Sequence, residues 1–157
     1  RSCSGRRTDG AAVRRPVVLL PLALVFGVAA TGTAPDERAH RAWVDYALHC
    51  QGCHLPDGRG MAGMAPDMRG QLGPFAALPG GREYLVRVPG VSTSRLSDAD
   101  VARLMNWLVR RMGPMPAGFE DYTTEEVARL RADWLRSPGP VRARLKAAMA
   151  EARVQAR

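Results

Sequence analysis

Residues 50–54 read Cys-Gln-Gly-Cys-His, and no other stretch restricts the fold of this chain so strongly. Two thiols separated by two residues and followed at once by an imidazole have the spacing of a c-type haem attachment site. The reason is local. Each thiol can add to one vinyl group on the same edge of a porphyrin, and the imidazole is then delivered beneath the iron. Haem is held in this way by two thioethers and a proximal histidine, here Cys50, Cys53 and His54. Three other readings use the same atoms. A thioredoxin-like redox pair wants its C-x-x-C at the start of a helix after a strand, and no such unit surrounds this one. A structural zinc site needs four ligands, usually as two spaced pairs. The other thiol, Cys3, does not form a second pair with His40 or His49. A plain disulfide leaves His54 without a role. The expected cofactor is therefore one covalent haem c.

The N-terminus reads as an export leader. Arg1, Arg6, Arg7, Arg14 and Arg15 precede an apolar stretch over residues 16–30 that is short for a membrane span and interrupted by Pro16 and Pro21. Small residues at Val28-Ala29-Ala30 offer a cleavage site. Residues 1–30 are thus expected to be a cleaved signal peptide, with an uncleaved anchor as the alternative, and the remainder to be periplasmic. Cys3 has no lipobox around it and is given no role. The whole chain carries a net charge of +8, but without the five Arg and one Asp of residues 1–30 it has 18 basic and 14 acidic residues, or +4. Dispersed charge of that size, with no recognised motif, argues against nucleic-acid binding. It is compatible with steering toward an acidic redox partner.

About 125 residues remain, enough for one domain. Residues 35–50 read as a helix, with Asp36 and Glu37 at its positive end and Ala39, Trp43, Tyr46, Ala47 and Cys50 as an inward stripe. Residues 55–81 are rich in Gly and Pro and read as a loop wrapped around the porphyrin. Residues 82–88 form a short segment stopped by Pro89-Gly90. Ser97 caps a helix whose apolar face is Val101, Leu104, Met105, Leu108 and Met112. Thr123 and Glu126 form a capping box for a helix carrying Val127, Leu130, Trp134 and Leu135, and residues 141–156 form a thinly apolar terminal helix after a turn at Pro138-Gly139-Pro140. No strand pattern is present, so the expected fold is all-α.

Taken in order, these features resemble a class I c-type cytochrome over residues 36–112, with residues 113–157 as a C-terminal helical extension. Ala39-His40-Arg41-Ala42-Trp43 resembles the small-x-x-x-aromatic contact of the first helix in that family. Ala65-Pro66-Asp67-Met68-Arg69-Gly70 resembles its G-P-x-L-x-G loop, and Leu96-Ser97-Asp98 followed by Trp107 resembles its last helix. The resemblance implies a small helical domain around one haem that carries single electrons and is not an enzyme. It also implies that the Pro66 carbonyl orients His54 and that Met68 packs on the haem. The expected partners are redox proteins, an exported dehydrogenase or a respiratory complex.

The sequence departs from the family at the sixth iron ligand. Where a Met-Pro pair is expected before the last helix, the chain reads Val88-Pro89, and valine cannot ligate iron. Met115-Pro116, the only Met-Pro pair in the chain, precedes a capped helix and is the first candidate for the distal thioether, ahead of Met64, Met61 and Met105. The alternative is an iron without a protein ligand on that face, which opens gas binding, sensing or peroxidase-like work. A haem subunit of a larger dehydrogenase complex is a third reading.

Overall fold

An opening proline, two acidic residues in the first turn and an apolar stripe start the first helix at Pro35, the first residue that the computed structural model describes. Residues 35–155 are described. They form α1 (Pro35–His49), α2 (Gln51–His54), α3 (Leu72–Ala77), α4 (Gly81–Arg87), α5 (Pro89–Ser92), α6 (Asp98–Arg111), α7 (Thr124–Ala132) and α8 (Pro138–Gln155). Among the described residues no β-strand is found, only an isolated bridge between Met61 and Ala65. The fold is all-α, as expected. The leader over residues 1–30, with Cys3, lies outside the described residues.

Helix α6 is the centre of the packing. Ser97 caps it, its hydroxyl accepting from the Asp100 amide at 3.1 Å, and Val101, Leu104, Met105, Leu108 and Val109 are buried along one face. Full burial of such side chains is worth roughly 1.5–3 kcal/mol each. Helix α1 crosses this face, tied by an ion pair of 2.6 Å between Arg103 and Asp45. At the crossing Ala42 and Tyr46 are buried, and the Tyr46 ring lies 5.9 Å from Trp107. The small-x-x-x-aromatic pair is therefore Ala42 and Tyr46, not Ala39 and Trp43. Successive helical residues are about 100° apart, so Trp43 is turned off the contact face; it is half exposed and stacks on His40.

Two short helices were hidden by breaker residues. Residues 55–81, expected as loop throughout, contain α3, in which Pro74 sits in the first turn where no amide is needed and Phe75 is buried edge-on to Tyr84. Pro89 opens the single turn α5 instead of only ending α4. Helix α7 is capped by Thr123, which accepts from the Glu126 amide, but the Glu126 carboxylate is bound to Arg82 of α4. Helix α7 ends at Ala132, before Trp134 and Leu135. Helix α8 starts at Pro138, so Pro138-Gly139-Pro140 is its first turn, and its buried residue is Leu145. Tyr122, Val127 and Leu145 belong to the same apolar core as α1 to α6.

Candidate haem site

The five-residue motif is wound tightly. The Cys50 amide donates to the Tyr46 carbonyl at 2.9 Å, and the His54 amide donates to the Cys50 carbonyl at 2.9 Å, so α2 places both thiols and the imidazole on a single turn. Cys50 is half-buried against the core and Cys53 is exposed. Leu55 then reverses the chain with φ +62°, a conformation an L-residue keeps only when its surroundings enforce it. The enforcement is visible: the Leu55 carbonyl accepts from the Tyr46 hydroxyl and from the Gly58 amide. Burial, aided by Cys50 and Asp57, pushes the Tyr46 phenol up to about 12, so it stays a donor.

His54 Nδ1 lies 3.2 Å from the Pro66 carbonyl oxygen. A carbonyl only accepts, so Nδ1 carries the proton and Nε2 keeps the lone pair that a metal needs. Burial holds His54 below its ordinary value of 6.5, Arg142 acts in the same direction, and the bond to Pro66 opposes them. Pro66 is itself braced. The next carbonyl, of Asp67, accepts from Gln71 Nε2 at 2.7 Å and from Arg142 of α8 at 3.3 Å. Arg142 also donates to Gln71 Oε1 at 2.8 Å, and the Met68 amide donates to the Gly58 carbonyl at 2.8 Å.

This donor set fits haem c better than the other chemistries. Burial first, then Asp45 and Cys53, pushes the Cys50 thiol up to about 11, opposite to the depressed value of a redox-active pair. Among the described residues no group of three His, Cys, Asp or Glu side chains could hold a metal ion, and Cys50 and Cys53 are both free. Two adjacent thiols with a neutral imidazole, its free nitrogen turned away from the loop, are what a covalent iron porphyrin requires.

The methionines are placed less favourably for the expected sixth ligand. Met61 and Met64 lie in a turn whose ends pair in both directions, Met61 and Ala65 exchanging amide-to-carbonyl bonds of 2.9 Å. Pro66 follows that turn directly, which fixes it on the Nδ1 side of His54. Met112 and Met68 meet at Gly58, where an added Cβ would lie 2.6 Å from Met112 Sδ and 3.7 Å from Met68 Cε. Met68, in the braced loop, and Met112, at the end of α6, thus both reach Gly58. The Gly70 amide donates to the Met112 carbonyl, and an added Cβ on Gly73 would strike the Pro114 carbonyl at 1.8 Å. Met115, the favoured candidate, therefore sits in a loop packed on the start of α3, beside the His54–Pro66 loop, and is half exposed. The expected bond from Met115 to iron has no support in this arrangement: its neighbours Pro114 and Pro116 lie against Gly73 at the start of α3. Met105 is buried in the α6 core.

Three functional contributors were missed from sequence. Tyr46 carried a signal, four residues after Ala42. Arg142 and Arg131 carried none, since each is one of many arginines on polar helices. Arg131 of α7 donates to the carbonyls of Ser92, Ser94 and Leu96 at 3.0, 2.7 and 2.9 Å and to the Asp98 carboxylate at 2.7 Å.

No protein-family model and no solved structure matches the chain. It is 33% identical over 103 residues to cytochrome c-552 of Thermus thermophilus, a match covering 53% of this chain and 79% of that protein. A second Thermus thermophilus cytochrome c-552 is also 33% identical over 103 residues, with 53% of this chain and 70% of that protein covered. The tightly wound Cys50 to His54 turn, the Tyr46–Trp107 crossing of α1 on α6 and this likeness agree, and the chain belongs to the class I c-type cytochromes.

Proposed function

We propose that this chain holds one haem c through Cys50 and Cys53, with His54 as axial ligand, and moves single electrons between exported redox partners. The reading is of a carrier, not an enzyme, working in the periplasm with a dehydrogenase or a respiratory complex at either end. Among the described residues no helix is long and apolar enough to cross a membrane.

The observation that carries the reading is the His54 Nδ1 contact to Pro66 O, which leaves Nε2 available immediately after two correctly spaced thiols. When bound, haem supplies a ferric–ferrous couple whose potential depends on ligands and burial. The chain's part is positional. Cys50 and Cys53 tether the group, Pro66 fixes the plane of the imidazole, and Tyr46 with Leu55 turns the backbone away from it. The apolar faces of α1, α3 and α6 exclude water. A frame that does not move between oxidation states keeps reorganisation small.

The test is expression with haem maturation in an exporting host, followed by the pyridine haemochrome spectrum and a redox titration. A two-thioether haem with a reversible single-electron couple is expected. Protein recovered without haem and with both Cys50 and Cys53 open to thiol reagents would overturn the proposal.

A further inference from the structure

We propose that no side chain of residues 35–155 gives the iron a sixth ligand, and that the position opposite His54 is a binding site for a small neutral diatomic molecule. The proposal rests on the haem reading above. Two independent observations carry it.

The first is where the capable side chains are. All seven methionines and all three histidines of the chain lie within residues 35–155. Met61, Met64, Met68, Met112 and Met115 belong to segments bonded to the loop on the Nδ1 side of His54 or to the start of α3, as described above. Met105 is packed in the core of α6, and Met149 is partly buried on α8. His40 stacks on Trp43, and His49 is an exposed residue next to Cys50. The hydroxyls of Tyr46 and Tyr122 are committed to the Leu55 and Arg82 carbonyls, Tyr84 is buried edge-on to Phe75 in the core, and Lys146 is exposed on α8.

The second is how the connection from α4 to α6 is built. Residues 88–97 read Val-Pro-Gly-Val-Ser-Thr-Ser-Arg-Leu-Ser, without a thioether, imidazole or thiol. The connection is not slack. The Ser92 hydroxyl donates to the Val88 carbonyl at 3.0 Å, the Thr93 hydroxyl donates to the Pro89 carbonyl at 2.6 Å, and Arg131 gathers three further carbonyls. A segment held this way cannot swing a more distant residue toward the iron. Val88, Val91 and Leu96 pack against the core, and the Arg131 guanidinium is consumed by three carbonyls and a carboxylate. The Ser94 hydroxyl is buried without a partner and Arg95 is exposed, so the ligand class follows not from this segment but from ferrous iron, which takes small neutral molecules in preference to anions.

Binding there is the donation of a ligand lone pair to ferrous iron in place of water, with no electron or proton transferred. A ligand that prefers the ferrous form holds the electron on the protein, so its presence would throttle transfer.

The experiment uses the purified holoprotein and carbon monoxide as probe. Expected are a high-spin spectrum of the reduced form, stoichiometric binding of carbon monoxide without a slow displacement phase, and a rise in potential under the gas. The variants Met115→Leu and Met64→Leu should leave the spectra unchanged. A low-spin reduced spectrum of any origin overturns the proposal, as does a near-infrared thioether band in the oxidised form or its loss in either variant. The pyridine haemochrome separates the two readings. Protein without haem overturns both, whereas a haem protein with six-coordinate low-spin iron overturns this one alone.

Discussion

Residues 55–71 and residues 88–97 both connect helices of one core, and they are held in opposite ways. The first segment is sewn by its own backbone: Gly60 to His54, Met68 to Gly58, Met61 to Ala65 and back. Its turns rest on glycines, and most of its bonds join residues close in sequence, those of Gly70 to Met112 and of Arg142 to Asp67 and Gln71 being the exceptions. The second is held from outside, chiefly by one guanidinium on α7, more than 30 residues further along the chain. The self-closed loop follows directly on His54, the proposed haem ligand, and carries its orienting carbonyl. The clamped one carries no ligand. The turn around the Pro66 carbonyl is thus encoded locally, whereas the connection from α4 to α6 depends on α7.

The largest effect should come from breaking the local segment at Gly60. Its φ is +72°, and an added Cβ would lie 2.3 Å from the Ala65 carbonyl oxygen and 2.6 Å from that of Pro66. Gly60→Ala combines left-handed strain with a backbone collision and should cost roughly 3 kcal/mol or more. It displaces Pro66 from His54, so the yield of covalent haem should fall together with stability. Normal haem content at normal stability would show that the Pro66 contact does not depend on this turn.

Breaking the clamped segment should cost less. Arg131→Ala removes four hydrogen bonds from a charged guanidinium, one of them an ion pair with Asp98, and leaves three carbonyls to find water, for a loss of about 2–3 kcal/mol in denaturant unfolding. Hydrogen exchange should quicken over residues 92–98 and not over residues 55–66. Equal quickening in both segments would mean that they are one cooperative unit, held by a common set of contacts. A smaller loss, about 1 kcal/mol, is expected for Arg142→Ala, which reaches from α8 to the Asp67 carbonyl and Gln71. Its distinguishing readout is the iron–histidine stretch in resonance Raman spectra, which should fall as the Pro66 hydrogen bond loosens.

The same contrast explains what could be read from the sequence. The motif at Cys50, Cys53 and His54, the Pro66 loop and the Ser97 cap are local patterns, in which spacing alone fixes which atoms meet. The crossing of α1 on α6 was half legible. Two aromatics, Trp43 and Tyr46, lie within one turn of α1, and only the position of Trp107 on the opposing helix decides between them. Helix α3 was hidden because Pro74 and Gly73 look like breakers, yet one sits in a first turn and the other makes room for the Pro114 carbonyl. Met115 shows the same limit. A Met-Pro pair before a capped helix is a local signal, but its place in the molecule is set by Gly70 and Gly73, more than 40 residues earlier. Arg131 and Arg142 act over distances that no periodicity records.

The smallest effect tests how the clamping helix is seated. Glu126 at the start of α7 accepts two hydrogen bonds of 2.7 Å from Arg82 of α4, and that pairing is the main cause that holds its carboxyl below its ordinary 4.5. Because the folded value is the lower one, the pair stabilises the protein fully above the unfolded value near 4.5. The contribution is lost as pH falls through the depressed native value. Both side chains are mostly shielded, so a contribution of about 1 kcal/mol is reasonable. In Glu126→Gln the deficit should be constant at neutral pH and close as the medium is acidified below the native value, read from denaturant midpoints of both proteins across a pH series. Since the pair joins α7 to α4, the variant should also quicken hydrogen exchange in residues 92–98 while residues 55–66 keep their protection. A deficit that stays the same at every pH would show that the carboxylate charge contributes nothing, and that α7 is seated by Arg131, Val127 and Tyr122 without it.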